Sequence, residues 1–160
     1  MRKGFNGPSR CSLCMNHHET IDHLLDACPF TSQLWDLVAG DFRRTNRVKG
    51  NITETLKKWT DYPFESNILN QLWNFTPGFV LWSTWKERNS RIFKNTSSSP
   101  LVLWKDILKN LHETLYSKGW SSTDLPTSHQ ERRILRALNF DISIVPAFCS
   151  NPTMRSDNPS

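Results

Sequence analysis

A mainly α-helical domain of five to seven helices is the fold class this sequence predicts, and three observations carry it. Apolar residues recur at spacings of three and four over much of the chain, the period of a helix with one buried face. Helix starts are marked by a capping residue followed by proline, as at Thr76-Pro77 and Ser99-Pro100. Near the N-terminus, Cys11, Cys14, His23 and Cys28 form a Cys-x2-Cys-x8-His-x4-Cys string, a ligand spacing suited to one metal ion.

The metal string comes first. Two thiols two residues apart make a tight hairpin chelate, and the His and third Cys close a tetrahedron. Soft thiolates with one imidazole select zinc, Zn2+, over calcium or magnesium, which take oxygen ligands. With four protein ligands no position is left for a water, so the expected role is structural: a zinc-stapled hairpin-plus-helix knuckle. Thr20 is the expected N-cap of a short helix carrying Ile21, His23, Leu24 and Leu25. Pro29 disfavours helical geometry at Cys28, so that helix ends near Ala27 and Cys28 can turn back to the hairpin. His17 and His18 compete with His23 as the imidazole ligand, and Cys149 reads as a free thiol.

Further along, Thr31 is expected to cap a helix through Ala39, with Leu34, Trp35, Leu37 and Val38 inward and Gly40 as its stop. Residues 41–51 read as a polar loop in which Arg43, Arg44, Arg47 and Lys49 face one Asp. Such a strip suits phosphates, although an ordinary solvated linker has the same composition. A short helix over 53–60 buries Ile52, Leu56 and Trp59, and Pro63 stops it. The next runs over 65–75, and Thr76-Pro77 restarts the chain as a longer helix to Asn95. Its first half, Phe79 to Trp85, is apolar nearly all round and predicted to be buried; its second half carries Lys86, Arg88, Arg91 and Lys94. Those cations suit either a ridge over nucleic-acid phosphates or the helix macrodipole.

Ser99-Pro100 starts the cleanest amphipathic helix, 100–117, with Trp104, Ile107, Leu108, Leu111 and Leu115 on one side and Gly119 beyond its end. His112 reads as a surface histidine. Ser128 with Glu131 predicts a capping box for a last helix, 129–139, and 141–145 a short strand or extended segment. The expected organisation is a knuckle with the first helices over 1–40, a continuous helical region over 41–145, and a disordered tail over 146–160.

Composition limits the function classes. The chain of 160 residues is 37% hydrophobic with seven Trp and nine Phe, enough for a modest core. Its charge of +5 falls to about +4 once zinc is bound by three thiolates, a small excess for a nucleic-acid binder. Met1 to Gly7 lacks an apolar export segment, and no apolar run approaches the roughly twenty residues that span a bilayer. The expected location is nuclear or cytoplasmic, not secreted. The fifteen acidic residues are scattered, without the paired carboxylates that magnesium-dependent phosphoryl transfer needs. No Gly-rich phosphate loop or nucleophile elbow is present, so no enzymatic activity is expected.

Arg10-Cys11-Ser12-Leu13-Cys14, with Glu19-Thr20-Ile21-Asp22-His23-Leu24, Cys28-Pro29-Phe30 and Leu34-Trp35, resembles the zinc-binding domain of plant LINE-type (non-LTR retrotransposon) reverse transcriptases. A second segment, Leu81-Trp82-Ser83-Thr84-Trp85-Lys86-Glu87-Arg88-Asn89-Ser90-Arg91-Ile92-Phe93, is similar to the Trp-x-x-Trp-Lys-x-Arg-Asn-x-x-Ile-Phe stretch downstream of the cysteines in that family. The resemblance implies a domain C-terminal to a polymerase, without catalysis of its own, that grips template RNA or target DNA. It makes RNA or DNA the expected partner, with a reverse transcriptase core in trans as another. The alternative is a structural or protein-interaction remnant that braced the polymerase. Relative to the family, the apolar helices upstream of the cysteines are missing, so the chain reads as an N-terminally truncated fragment. The nucleic-acid-binding residues expected on this reading are Arg43, Arg44, Arg47, Lys86, Arg88 and Arg91.

Overall fold

The structure, a computed structural model, describes residues 10–44, 49–61 and 63–141. A two-cysteine hairpin leads into a π-helical turn, His23–Ala27, and then five α-helices. These are α1 (Pro29–Asp41), α2 (Ile52–Trp59), α3 (Asn67–Phe93), α4 (Pro100–Lys118) and α5 (His129–Ala137), with a 3-10 turn at Ser122–Asp124. The fold is mainly helical, and an isolated antiparallel bridge between Arg10 and His18 closes the hairpin. α3 is the spine against which α4, α1 and the π-turn pack, and α1 also packs on α4. One core runs from Cys11 and Leu13 through Trp35, Leu69 and Ile107 to Leu135 and Phe140. Arg47, Cys149, most of the expected strand and the tail lie outside the described residues.

α1 begins three residues earlier than expected. Pro29 occupies its first turn, where a missing N–H costs nothing, and Cys28 stands in the N-cap position. Thr31 is therefore not the cap; it is buried and its hydroxyl donates to the Leu24 carbonyl at 2.7 Å. Nor does Gly40 end the helix, which continues through Asp41. Its stop is Arg43, in the left-handed region at φ 53°, with the Arg44 N–H bonded to the Ala39 carbonyl at 2.8 Å. Asp41, expected in a loop, accepts a 2.6 Å bond from the Trp104 indole on α4.

The start of α2 is held by the π-turn. Asp22 accepts from the Ile52 N–H at 3.1 Å, and the buried Asp26 accepts from Gly50 N–H and Thr55. Asn51 caps the helix through the Glu54 N–H at 3.1 Å. Thr55, not Leu56, joins Ile52 and Trp59 on the buried face; Leu56 is exposed.

Thr76-Pro77 does not restart a helix, because α3 runs straight through it. Pro77 removes the N–H that would bond the Trp73 carbonyl four residues back. The Trp59 indole N–H supplies the replacement at 2.8 Å, and the Trp73 indole returns a 2.7 Å bond to the Trp59 carbonyl at the end of α2. The two rings stack at 3.9 Å between centroids. Trp35 and Phe42 of the α1 end pack against this pair. A proline that breaks an isolated helix is accommodated here by a partner helix.

α4 matches its expected span, with Ser99 capping the Val102 N–H at 3.3 Å and Gly119 at φ 75° allowing the turn past its end. His112 is half-buried rather than a surface residue: its Nε2 donates to the Leu138 carbonyl at 2.9 Å, at the end of α5. That helix stops at Ala137, where Asn139 takes the left-handed position and the Phe140 N–H reaches the Leu135 carbonyl at 2.9 Å. Ser128 does cap it, accepting from the Glu131 N–H at 3.2 Å. The Glu131 carboxylate does not complete the box. It is buried and accepts instead from the Glu65 and Ser66 N–H groups at 2.6 and 3.0 Å, just before α3.

Candidate metal centre

The hairpin folds because Met15 adopts the left-handed conformation (φ 59°), letting its N–H reach the Cys11 carbonyl at 2.8 Å. The Cys11 N–H in turn bonds the His17 carbonyl at 2.8 Å, so both thiols face inward from a closed loop. Across the loop, Thr20 caps the next turn as expected, its hydroxyl accepting from the His23 N–H at 3.1 Å. From His23 the backbone takes a π register, in which the Cys28 N–H bonds the carbonyl of His23, five residues back, at 2.6 Å. An α-helix would set residues five apart roughly 140° from one another. The wider π-turn brings them to the same side, and the extended Cys28 (ψ 133°) then hands the chain to α1.

Cys11 Sγ, Cys14 Sγ, a ring nitrogen of His23 and Cys28 Sγ all lie within 4.8 Å of one another. Cys11 and Cys28 Sγ are 3.8 Å apart, and Cys14 Sγ is 3.3 Å from His23 Nε2. Tetrahedral bonds of about 2.3 Å to sulfur and 2.0 Å to nitrogen give edges of roughly 3.5–3.8 Å, so these two edges already have nearly the lengths such a site needs. No disulfide competes, since a sulfur–sulfur bond is about 2.05 Å. His17 is the near alternative, its Nδ1 3.8 Å from Cys14 Sγ and its ring 5.1 Å from that of His23. His18 is exposed, its backbone engaged in the bridge to Arg10.

The surroundings prepare thiolates unequally. Partial burial pushes the Cys14 thiol up, but the Asn16 N–H and the His17 and His23 imidazoles outweigh it and bring it to about 6. Burial pushes Cys28 up to about 12, against the pull of the Phe30 and Thr31 N–H groups at the start of α1. A divalent cation among these sulfurs supplies the opposite charge that the buried site otherwise lacks.

Residues 1–35 match the model of a family described as zinc-binding in reverse transcriptase. The ligand cluster is a zinc site. All four ligands fall inside the matched segment, which supports a reverse transcriptase zinc-binding domain at this end of the chain. Neither the curated proteins nor the solved structures compared with the chain gave a match. A zinc ion held by these four residues would have no position left for substrate and would tie hairpin, π-turn and α1 together.

The expected basic residues have divergent surroundings. Arg88 is bonded to Glu19 of the hairpin through Nε at 2.8 Å and Nη2 at 2.5 Å. Arg91 pairs with the buried Glu87 at 2.7 Å, donates to the Leu13 carbonyl at 2.8 Å and lies 4.6 Å from the centroid of the Phe30 ring. These two guanidiniums therefore hold the knuckle to α3 instead of forming a free ridge. Arg44 lies over the Phe64 ring at 4.2 Å and donates to the Pro63 carbonyl at 3.3 Å. With Arg43 it lines a cleft of about 200 Å³ that also contains Glu131. Arg43 and Lys86 are exposed. Sequence reasoning missed the acids that organise the site, Glu19, Asp22, Asp26 and Glu87. Scattered acids beside a basic helix were the available signal.

Proposed function

We propose that this chain is a nucleic-acid-binding module of a LINE-type reverse transcriptase, held in shape by zinc and without an active site of its own. The observation that carries the reading is the complete ligand set inside a segment matching a zinc-binding domain of enzymes that work on nucleic acid. Net positive charge and the exposed Arg43 and Lys86 support contact with phosphates of RNA or DNA. A non-catalytic role is favoured by how the buried acids are used, since Asp26, Glu87 and Glu131 are bonded to the protein's own donors. Among the described residues no helix is long and apolar enough to cross a membrane, which fits a nuclear or cytoplasmic module working beside a polymerase core.

Titrating the zinc-loaded chain with labelled RNA and DNA at rising salt tests this. Phosphate-driven binding weakens linearly on a log–log plot, with a slope of about −0.7 per neutralised phosphate on single strands. A chain that ignores both nucleic acids would sink the reading. A second reading, a structural brace for the polymerase, is favoured by one observation: Arg88 and Arg91 are occupied in holding the knuckle. A monomer that leaves nucleic acid alone and binds a reverse transcriptase core would support it.

A further inference from the structure

The apolar stretch at the middle of α3 does not bury as its composition predicts. Trp82 is 58% exposed, Trp85 44% and Phe93 66%. At about 100° per residue these rings share an arc roughly 100° wide with Gly78, Lys86 and Asn89 on the solvent side of α3. The one acid between residues 78 and 93 is Glu87, which is buried and paired with Arg91, so the arc carries only positive charge. Trp85 is fixed by Arg88, whose guanidinium lies over the ring at 5.1 Å and is anchored to Glu19. Three exposed rings, that of Trp85 held by Arg88, beside an unopposed lysine are what the fold leaves there.

The size of the face limits its occupant. Three part-exposed aromatic side chains present on the order of 400 Å², within the range of patches that mark function. That is about half of the ~800 Å² each partner contributes to a stable protein interface. A small, cationic aromatic surface suits polyanions with exposed rings, and unpaired bases stack on such rings whatever their sequence. A duplex offers only base edges and phosphates.

We propose that Trp82, Trp85 and Phe93 form a stacking platform for unpaired bases of single-stranded nucleic acid, with Lys86 against the phosphates. This rests on the reading of the chain as a nucleic-acid-binding module. From Trp82 to Phe93 the helix rises about 16 Å, room for a few nucleotides. Because Arg88 ties Trp85 to the knuckle, the zinc site helps to set the platform.

The test uses the full zinc-loaded chain and fluorescence anisotropy with RNA and DNA strands of about 12 nucleotides, their abasic counterparts and a duplex. The wild type is expected to prefer the base-bearing strand over the abasic one. Trp82→Ala with Trp85→Ala should weaken the base-bearing strand roughly ten- to a hundredfold and leave the abasic strand unchanged. Trp85→Phe should keep most of the affinity. Lys86→Ala should weaken both strands alike and reduce the salt slope by about 0.7. If the double variant does not fold, Trp82→Ala alone reports the same direction at the more exposed of the two tryptophans. Wild-type binding of all single strands that survives both Trp changes overturns the platform and leaves the module reading standing. A wild type that binds no probe overturns both. A dimer that Trp82→Ala converts to monomer gives the face to a second copy and also overturns the proposal.

Discussion

Arg43 ends α1 at a cost that is visible in its backbone. A side chain in the left-handed region is disfavoured by roughly 1 kcal/mol, and glycine there is not. Arg43→Gly is expected to stabilise the fold by up to about 1 kcal/mol in urea unfolding while removing an exposed cation. Arg91 has the opposite character, with its guanidinium shared among Glu87, Leu13, Ser12 and Ser98. Arg91→Ala leaves the buried Glu87 without its cation and should cost about 3 kcal/mol, read as a lower urea midpoint. At Asp124, hydrogen bonds from Asn67 and the Ser121 N–H hold the carboxyl below its ordinary value, against a smaller effect of burial. A depressed folded pKa means that its stabilisation is present above the unfolded value and is lost as pH falls through the folded one. Between about pH 5 and pH 3 the wild type should therefore lose more stability than Asp124→Asn; equal losses would contradict the assignment.

At the scale of elements, the crossing of α2 with α3 rests on an exchange of indole hydrogen bonds made necessary by Pro77. Trp59→Phe keeps the ring stack but leaves the Trp73 carbonyl with no donor, which should cost about 2 kcal/mol. In a Pro77→Ala background the new N–H at 77 can serve that carbonyl, so the same change should cost about 1 kcal/mol less. A double-mutant cycle measures this coupling directly. Additive effects would show that the helix carries its proline without help from Trp59. The π-turn is a comparable local irregularity with a stated task, since it aligns His23 with Cys28 and leaves the Leu24 and Leu25 carbonyls for Thr31 and Trp35.

For the molecule as a whole, the knuckle is part of the common core, with Cys11, Leu13 and Leu24 in the same cluster as the α3 and α4 residues. Metal binding to isolated zinc modules contributes on the order of 10–16 kcal/mol, comparable to the net stability of an entire domain. Cys14→Ser or chelation of zinc is expected to unfold residues 10–40. The observable is near-UV circular dichroism from Trp35, whose indole is bonded to Leu25 of the π-turn at 2.9 Å. A native Trp35 signal after metal removal would count against the staple. Because Arg88 and Arg91 link the same knuckle to α3, denaturant unfolding of the chelated protein should also begin at lower concentration for the remaining helices.

The sequence by itself determined the chemistry of the zinc site and the helical class of the fold. Cys11, Cys14, His23 and Cys28 are legible because thiolate spacing is a local property, and α4 is legible because its apolar period and Ser99-Pro100 start are local too. Tertiary structure decided what local pattern leaves undetermined. Thr76-Pro77 reads as a helix start until Trp59, far away in sequence, supplies the missing donor. Arg88 and Arg91 read as a free basic ridge until Glu19 and the Leu13 carbonyl arrive from the hairpin. The same contacts show that residues 81–93 contain the side chains that hold the hairpin. Trp82 and Trp85 read as core until the packing of α1 and α4 covers the other side of α3. In each case the deciding partner lies more than ten residues away, and only folding brings its charge, donor or surface within reach.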